Sequence, residues 1–279
     1  MYKRYWSLAE RPFQRTLDRA WFVSGPTADE ALSRLLFLVE ESRRCGLLVG
    51  AAGTGKTCLL AMLQDRARRM GRLVVGLNCA GMDRDELLGQ LTDALSLPAA
   101  GTDGAGQLWR MLQLDLEGRT LTGPPLVLLL DQFDQASPGC ELIATRLFSL
   151  AESLPAPLCI IAAARQTQVS NPAARLEEFS ELRIELGPWT PAECSEYIQE
   201  TLRRAGASRD VFTAPALFRV WVQSRGIPAR VARLCDFALL AAMDHELSLV
   251  DCDVVDAAAI ELGIAVPGTG DVQPLARRA

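Results

Sequence analysis

Cys45-Gly46-Leu47-Leu48-Val49-Gly50-Ala51-Ala52-Gly53-Thr54-Gly55-Lys56-Thr57 is the stretch on which the fold turns. An apolar run suited to a buried strand leads into G-x-x-x-x-G-K-T, and residues 57–70 continue at helical spacing. Strand, glycine-rich loop and helix in that order form the Walker A pattern. Its glycines let backbone N–H groups turn inward around phosphates, the lysine reaches the outer phosphates, and the threonine hydroxyl is placed to ligate Mg2+. The helix offers its N-terminus, with free N–H groups and a positive dipole end, to the same anion. Residue usage sharpens the reading: among 29 basic residues only Lys3 and Lys56 are lysine. A chain that otherwise uses arginine keeps a compact ammonium where a phosphate needs one. The candidate nucleotide contacts are Gly50, Ala51, Ala52, Gly53, Thr54, Gly55, Lys56, Thr57 and Cys58.

Such a loop needs an acidic partner for the metal at the end of a buried strand. Leu126-Val127-Leu128-Leu129-Leu130-Asp131 supplies it, so Thr57 and Asp131 are the expected Mg2+ ligands. Hydrolytic P-loop proteins of this type follow the aspartate with a glutamate that polarises water. Here the sequence is Asp131-Gln132-Phe133-Asp134. An amide cannot take a proton, and a positioned general base contributes about 10²–10⁴-fold in rate. Gln132 can still orient water, and Asp134 can turn inward if a helical turn begins here. The candidate catalytic set is Lys56, Asp131, Gln132 and Asp134, with slow turnover expected.

Outward from the loop, strands and helices alternate. Strands are expected at 45–49, 73–78, 126–130, 158–164 and 182–186. Helices are expected from the capping box at Thr27-Ala28-Asp29-Glu30 to about residue 44, then at 84–95, 108–116, 141–153 and near Arg175, with a loop over 98–106. The continuous apolar runs suit strands covered on both faces, and the alternation implies an α/β fold, a doubly wound parallel sheet with ligand at the strands' C-terminal ends. After Gly187-Pro188-Trp189 the pattern is helical only. Thr190-Pro191-Ala192-Glu193 opens a small all-α domain of about four helices. The expected division is 1–26 as an irregular lead-in containing Trp21-Phe22, 27–187 as the α/β domain, 188–263 as a helical domain and 264–279 as a disordered tail.

Composition excludes several classes. At 49% hydrophobic and 23% charged, the chain is ordinary for a globular protein. Its longest apolar runs are far too short to cross a bilayer, so no direct membrane insertion is expected. The opening Met1-Tyr2-Lys3-Arg4-Tyr5-Trp6 lacks a signal peptide's apolar stretch. The eight cysteines include no C-x-x-C pair and are read as buried reduced thiols. The expected compartment is the cytoplasm. Net charge is −5, which gives no global basic field for DNA, although Arg66, Arg68, Arg69 and Arg72, and Arg203 with Arg204, cluster locally. His245, the only histidine, is read as structural.

The motif series resembles the AAA+ ATPases, and within them the ExeA/GspA-type ATPases of the general secretion pathway. TniB/MuB-type transposition ATPases share the core. Tyr5-Trp6-Ser7-Leu8 followed by Pro12-Phe13, the Leu186-Gly187-Pro188-Trp189 junction, Tyr197-Ile198 with Ala205-Gly206, and Gly226-Ile227-Pro228 carry the resemblance to about residue 262. It implies ATP and Mg2+ as ligands, a lead-in that covers the adenine and a helical lid. It also implies ATP-dependent homo-oligomerisation and a protein partner of unknown identity. Gln166 would stand near the sensor 1 position. Ala229 stands where the family carries the sensor 2 arginine, leaving Arg230 or Arg233 as substitutes. Phe179 falls at the trans arginine finger, leaving Arg175 or Arg183. The leading expectation is a slow Mg-ATP-dependent ATPase of a secretion or pilus type. The alternatives are a non-hydrolysing ATP scaffold or switch and an ATP-dependent DNA-binding transposition regulator.

Overall fold

The computed structural model describes residues 2–13, 23, 25–98, 104–154, 158–165 and 172–265. Chain order is α1 (Tyr2–Tyr5), α2 (Pro26–Glu40), β1 (Cys45–Val49), α3 (Lys56–Arg69), β2 (Leu73–Asn78), α4 (Arg84–Ala94), α5 (Ala105–Thr122) and β3 (Leu126–Asp131). It continues with α6 (Pro138–Ser153), β4 (Leu158–Ala164), α7 (Pro172–Phe179), β5 (Leu182–Glu185), α8 (Pro191–Arg204), α9 (Ala214–Ser224), α10 (Pro228–Asp244) and α11 (Cys252–Glu261). Two compact units result: Ala28–Ala52 with Lys56–Leu186, and the segments up to Thr27, Gly53–Gly55 and from Gly187 onward.

The first unit is a parallel five-stranded sheet in the order β2-β3-β4-β1-β5. Side chains alternate across a strand, and here both sets are apolar. Cys45, Leu47, Val49, Leu126, Leu128, Leu130, Ile160 and Ala162 join one core with Leu88 of α4, Leu112 of α5 and Leu147 of α6. Leu48, Val127, Leu129, Ile161 and Ala163 join the other with Leu35 and Leu38 of α2 and Leu59 and Leu63 of α3. Each leucine so buried contributes about 1.5–3 kcal/mol relative to exposure. Gly46 interrupts the pattern because α2 comes close: a Cβ there would lie 2.3 Å from Leu38 Cδ1. All the strands run the same way, so their polar C-terminal residues gather at one edge of the sheet.

Several element ends differ from the sequence expectation. Helix α2 starts at Pro26, so Thr27 lies inside it and the Thr27 capping box does not form. The Thr27 N–H donates instead to Glu193 Oε1 at 3.0 Å, a carboxylate remote in sequence. The helix stops at Glu40 rather than near 44, because Ser42 turns left-handed at φ 54° and Arg43 N–H closes on Leu38 O at 2.8 Å. Helix α5 extends well beyond 108–116, through Gly106 and Gly118, residues that argue against helix by propensity. Helix α6 starts at Pro138, a residue suited to a first turn.

The second unit is built on α8–α11. Thr190 and Glu193 form the capping box of α8, with Glu193 N–H donating to Thr190 Oγ1 at 3.2 Å and Thr190 N–H to Glu193 Oε2 at 2.9 Å. Burial works to raise the Glu193 pKa, but hydrogen bonds from Thr27 and Thr190 outweigh it and hold the carboxyl below its ordinary value. Of the opening residues, Tyr2–Tyr5 is helical and 6–13 run through turns and bends, yet Tyr2, Trp6, Leu8 and Phe13 are buried in the same core as Ile198, Val220, Leu234 and Val255. Trp6 Nε1 donates to Leu239 O at 3.0 Å and Tyr5 Oη to Leu247 O at 2.8 Å. The His245 N–H caps α10 on Ala241 O at 3.1 Å. Trp21-Phe22, most of the 98–106 loop and residues 266–279 of the expected tail lie outside the described residues.

All eight cysteines are free thiols, six of them buried. Burial pushes the thiols of Cys79, Cys159 and Cys194 up to about 12 and raises those of Cys45 and Cys235, which suppresses the reactive thiolate.

Candidate functional site

The loop between β1 and α3 carries Gly53 at φ 84° and Gly55 at φ 102°. A Cβ on Gly55 would meet nothing within 4 Å, so glycine is there for its backbone freedom. Gly53 packs with the helical unit, where its carbonyl accepts from Ala229 N–H at 3.1 Å and a Cβ would lie 2.9 Å from the Ala229 Cβ. Thr54 and Lys56 are buried, whereas Ala51, Ala52, Gly53 and Thr57 are exposed. Lys56 Nζ donates to Gly50 O at 2.7 Å and Ala51 O at 2.9 Å, which holds the ammonium against the loop. Burial lowers the Lys56 pKa, and the charges of Asp134 and then Asp131 oppose that shift. The Cys58 thiol, part-buried, is pushed up by burial and then by Asp131.

Asp131 ends β3, and its Oδ2 accepts from Thr57 Oγ1 at 2.6 Å. Two hard oxygen donors from positions 74 residues apart thus converge beside the lysine. Mg2+ keeps several waters and is held by one or two protein oxygens plus substrate phosphates. This donor pair fits that habit. Among the described residues no group of three or more His, Cys, Asp or Glu could hold a metal.

The residues after Asp131 diverge in direction. Gln132 sits in the left-handed region at φ 53°, ψ 36°, a conformation that costs a non-glycine residue about 1–3 kcal/mol. Its N–H donates to Asp131 Oδ1 at 2.9 Å, its Nε2 to Asn78 Oδ1 at 3.2 Å, and its Oε1 accepts from Gln135 Nε2 at 2.8 Å. A single 3₁₀ turn, Phe133–Gln135, follows and packs on β4 and α7. Within it the Asp134 side chain is only 9% exposed, with Oδ2 3.8 Å from Arg165 Nε. Asp134 Oδ1 is buried with no hydrogen-bond partner among the described residues, a loss of about 1–3 kcal/mol or more.

Lys56, Thr57, Asp131 and Asp134 are therefore brought into one neighbourhood, whereas the Gln132 side chain is engaged with Asn78 and Gln135. Gln166 lies outside the described residues, as does the Arg175 side chain. Arg230 and Arg233 are exposed on α10, the latter 6.0 Å from the Phe237 ring centre. Arg183 pairs with Glu177 at 3.3 Å and Glu185 at 3.5 Å, and Phe179 stacks on Phe148. Two polar residues went unread in the sequence, Asn78 and Arg165. Both directly end or follow an apolar strand beside β3, and that position was the available signal.

Residues 39–165 match the family model described as AAA domain. General secretion pathway protein A of Aeromonas hydrophila is 27% identical over 275 residues, covering 96% of this chain and 50% of that protein. The chain is thus similar to GspA and matches an AAA domain over part of its length. It spans half the length of that curated relative. Solved structures agree on the P-loop AAA+ fold. Cdc6p from Pyrobaculum aerophilum superposes with a TM-score of 0.72 at 16% identity, covering 93% of this chain and 72% of that one. The Aeropyrum pernix ORC1 protein, solved in complex with DNA, gives 0.67 at 17% identity over 88% and 68%. The RuvB Holliday junction branch migration motor of Thermotoga maritima gives 0.53 at 18% identity over 90% and 73%. Among the described residues no helix is long and apolar enough to cross a membrane.

Proposed function

We propose that this AAA+ protein binds Mg-ATP and hydrolyses it slowly, using nucleotide state to control self-assembly and engagement of a protein partner. The observation that carries the reading is the convergence of Lys56, Thr57 and Asp131, with Thr57 Oγ1 and Asp131 Oδ2 2.6 Å apart. In this reading the backbone N–H groups of residues 50–58 and the Lys56 ammonium hold the phosphates. Thr57 and Asp131 hold Mg2+, which neutralises charge on the phosphates and orients them. Self-association is the expected response to ATP, in the cytoplasm. The likeness to a general secretion pathway protein supports a secretion-type or similar partner, reached through whatever that partner recognises on the ATP-bound form.

The test is equilibrium binding of a fluorescent ATP analogue with and without Mg2+, beside phosphate release measured across a protein concentration series. Metal-dependent binding that Lys56→Ala removes, with turnover per chain rising with concentration, supports the proposal. Binding without any phosphate release favours the second reading, an ATP-held scaffold or switch, for which the engaged Gln132 side chain argues. DNA binding, as in the ORC1 complex, is less favoured here. Arg203 and Arg204 are both engaged by Glu200, and net charge is −5. Salt-sensitive DNA binding that appears only with ATP would revive it.

A further inference from the structure

Sheet order separates the two side chains that follow Asp131. In the series β2-β3-β4-β1, the strand β3 has β2 on one side and β4 on the other, with β4 leading on to β1 and its phosphate loop. Gln132 reaches the β2 side, where its amide is committed to Asn78 and Gln135. Asp134 lies on the other side. Its turn packs on β4, its Oδ2 faces Arg165 at the end of β4, and its charge acts on Lys56 more strongly than that of Asp131 does. Asp134 Oδ1 is buried without a hydrogen-bond partner among the described residues. A buried polar atom left without a partner calls for a functional or solvent explanation.

We propose that Asp134, and not the residue next to Asp131, is the general base of this ATPase, with Arg165 as the residue that positions it. The inference rests on the Mg-ATP reading above. In the step assigned to it, a water oxygen bonds to the γ-phosphorus of ATP, and the bond from that phosphorus to the β,γ-bridging oxygen breaks. ADP leaves with the electron pair of that bond. The water proton passes to Asp134 Oδ1 and from there to solvent. A carboxylate three residues beyond Asp131 reaches this place because Gln132 takes the left-handed conformation. That conformation starts the 3₁₀ turn at once and brings position 134 round toward β4. With Arg165 Nε 3.8 Å from Oδ2, Oδ1 is the carboxylate oxygen left without a partner among the described residues.

The test uses the full chain as wild type and as Asp134→Asn, Gln132→Ala, Gln132→Glu, Arg165→Ala and Arg165→Lys. For each, phosphate release and equilibrium binding of a fluorescent ATP analogue with Mg2+ are measured. Asp134→Asn is expected to lower kcat by roughly 10²-fold or more, the usual worth of a positioned base. Its ATP affinity should stay near that of wild type, which also shows that the variant is folded. Gln132→Ala is expected to lower kcat by much less than Asp134→Asn does. Arg165→Ala should lower kcat with little change in KM, and Arg165→Lys should restore most of it. An Asp134→Asn variant that turns over like wild type overturns the assignment, as does a loss of turnover in Gln132→Ala as large as that in Asp134→Asn. A wild type that binds ATP but releases no phosphate, with activity appearing in Gln132→Glu, overturns it while leaving nucleotide binding intact. A wild type that binds no ATP overturns the reading beneath it.

Discussion

The two compact units are held together by different logic. In the sheet unit the strands β1, β3 and β4 are buried on both faces, so polar residues there are confined to strand ends, and those ends carry the candidate chemistry. The helical unit has no such edge. Its core is closed by Tyr2, Trp6, Leu8 and Phe13, which meet partners more than 180 residues further along the chain. A parallel sheet writes its functional positions into a short repeat, whereas a helical bundle sealed by a distant segment writes its stability across the whole sequence.

Substitutions can break or sharpen that contrast. The largest effect is expected from Trp6→Ala, which empties a side chain only 3% exposed and removes its hydrogen bond to the Leu239 carbonyl. Large aromatic-to-alanine changes in cores cost about 3–5 kcal/mol, and thermal melting should register the loss. Survival of the full melting temperature would mean that the opening segment does not seal the helical core. Lys56→Ala should instead leave the ligand-free melting temperature nearly unchanged. Truncating a buried, hydrogen-bonded charge costs about 2–5 kcal/mol, so ATP binding by titration should weaken by at least tenfold.

Gly46→Ala tests the sheet's own packing. The added Cβ would lie 2.3 Å from Leu38 Cδ1, and overpacking of this kind costs about 1–3 kcal/mol. Denaturant unfolding should show a lower midpoint, and Leu38→Ala in the same chain should recover part of it. The smallest effect is expected at Glu193→Gln, where weakened caps cost about 1 kcal/mol. The Glu193 carboxyl is held below its ordinary value in the fold. Its contribution is therefore complete above the unfolded value of about 4.3 and disappears as pH falls through the folded one. Wild type and Glu193→Gln should differ at neutral pH and converge in acid.

Much of the sheet unit was legible because continuous apolar runs and the Walker A spacing are short-range signals. Strands 45–49, 73–78 and 158–164 have the bounds the residues implied. The start of α2 was not legible, because the group that meets Thr27 N–H is Glu193, which no local pattern connects to it. The full length of α5 was masked by Gly106 and Gly118, whose propensity is overridden by the burial of Trp109, Leu112 and Leu116. At the site, Lys56, Thr57 and Asp131 followed from spacing. Asn78 and Arg165 did not, since the sequence does not say which strands are neighbours. The opposed directions of Gln132 and Asp134 depend on one left-handed residue, a conformation that glutamine gives no hint of.

The scarcity of lysine has a practical corollary for covalent labelling. An acylating reagent meets just two lysine side chains, Lys3 and Lys56. The first is exposed, with its amine on the Ala9 carbonyl at 2.7 Å. The second is buried and has a depressed pKa, so a larger share of its amine is neutral and nucleophilic than in an ordinary lysine. Seated phosphates would both cover that nitrogen and draw it back to the protonated form. Peptide mapping of acylation at Lys56, normalised to Lys3 in the same molecule, is thus a built-in occupancy gauge for the nucleotide loop.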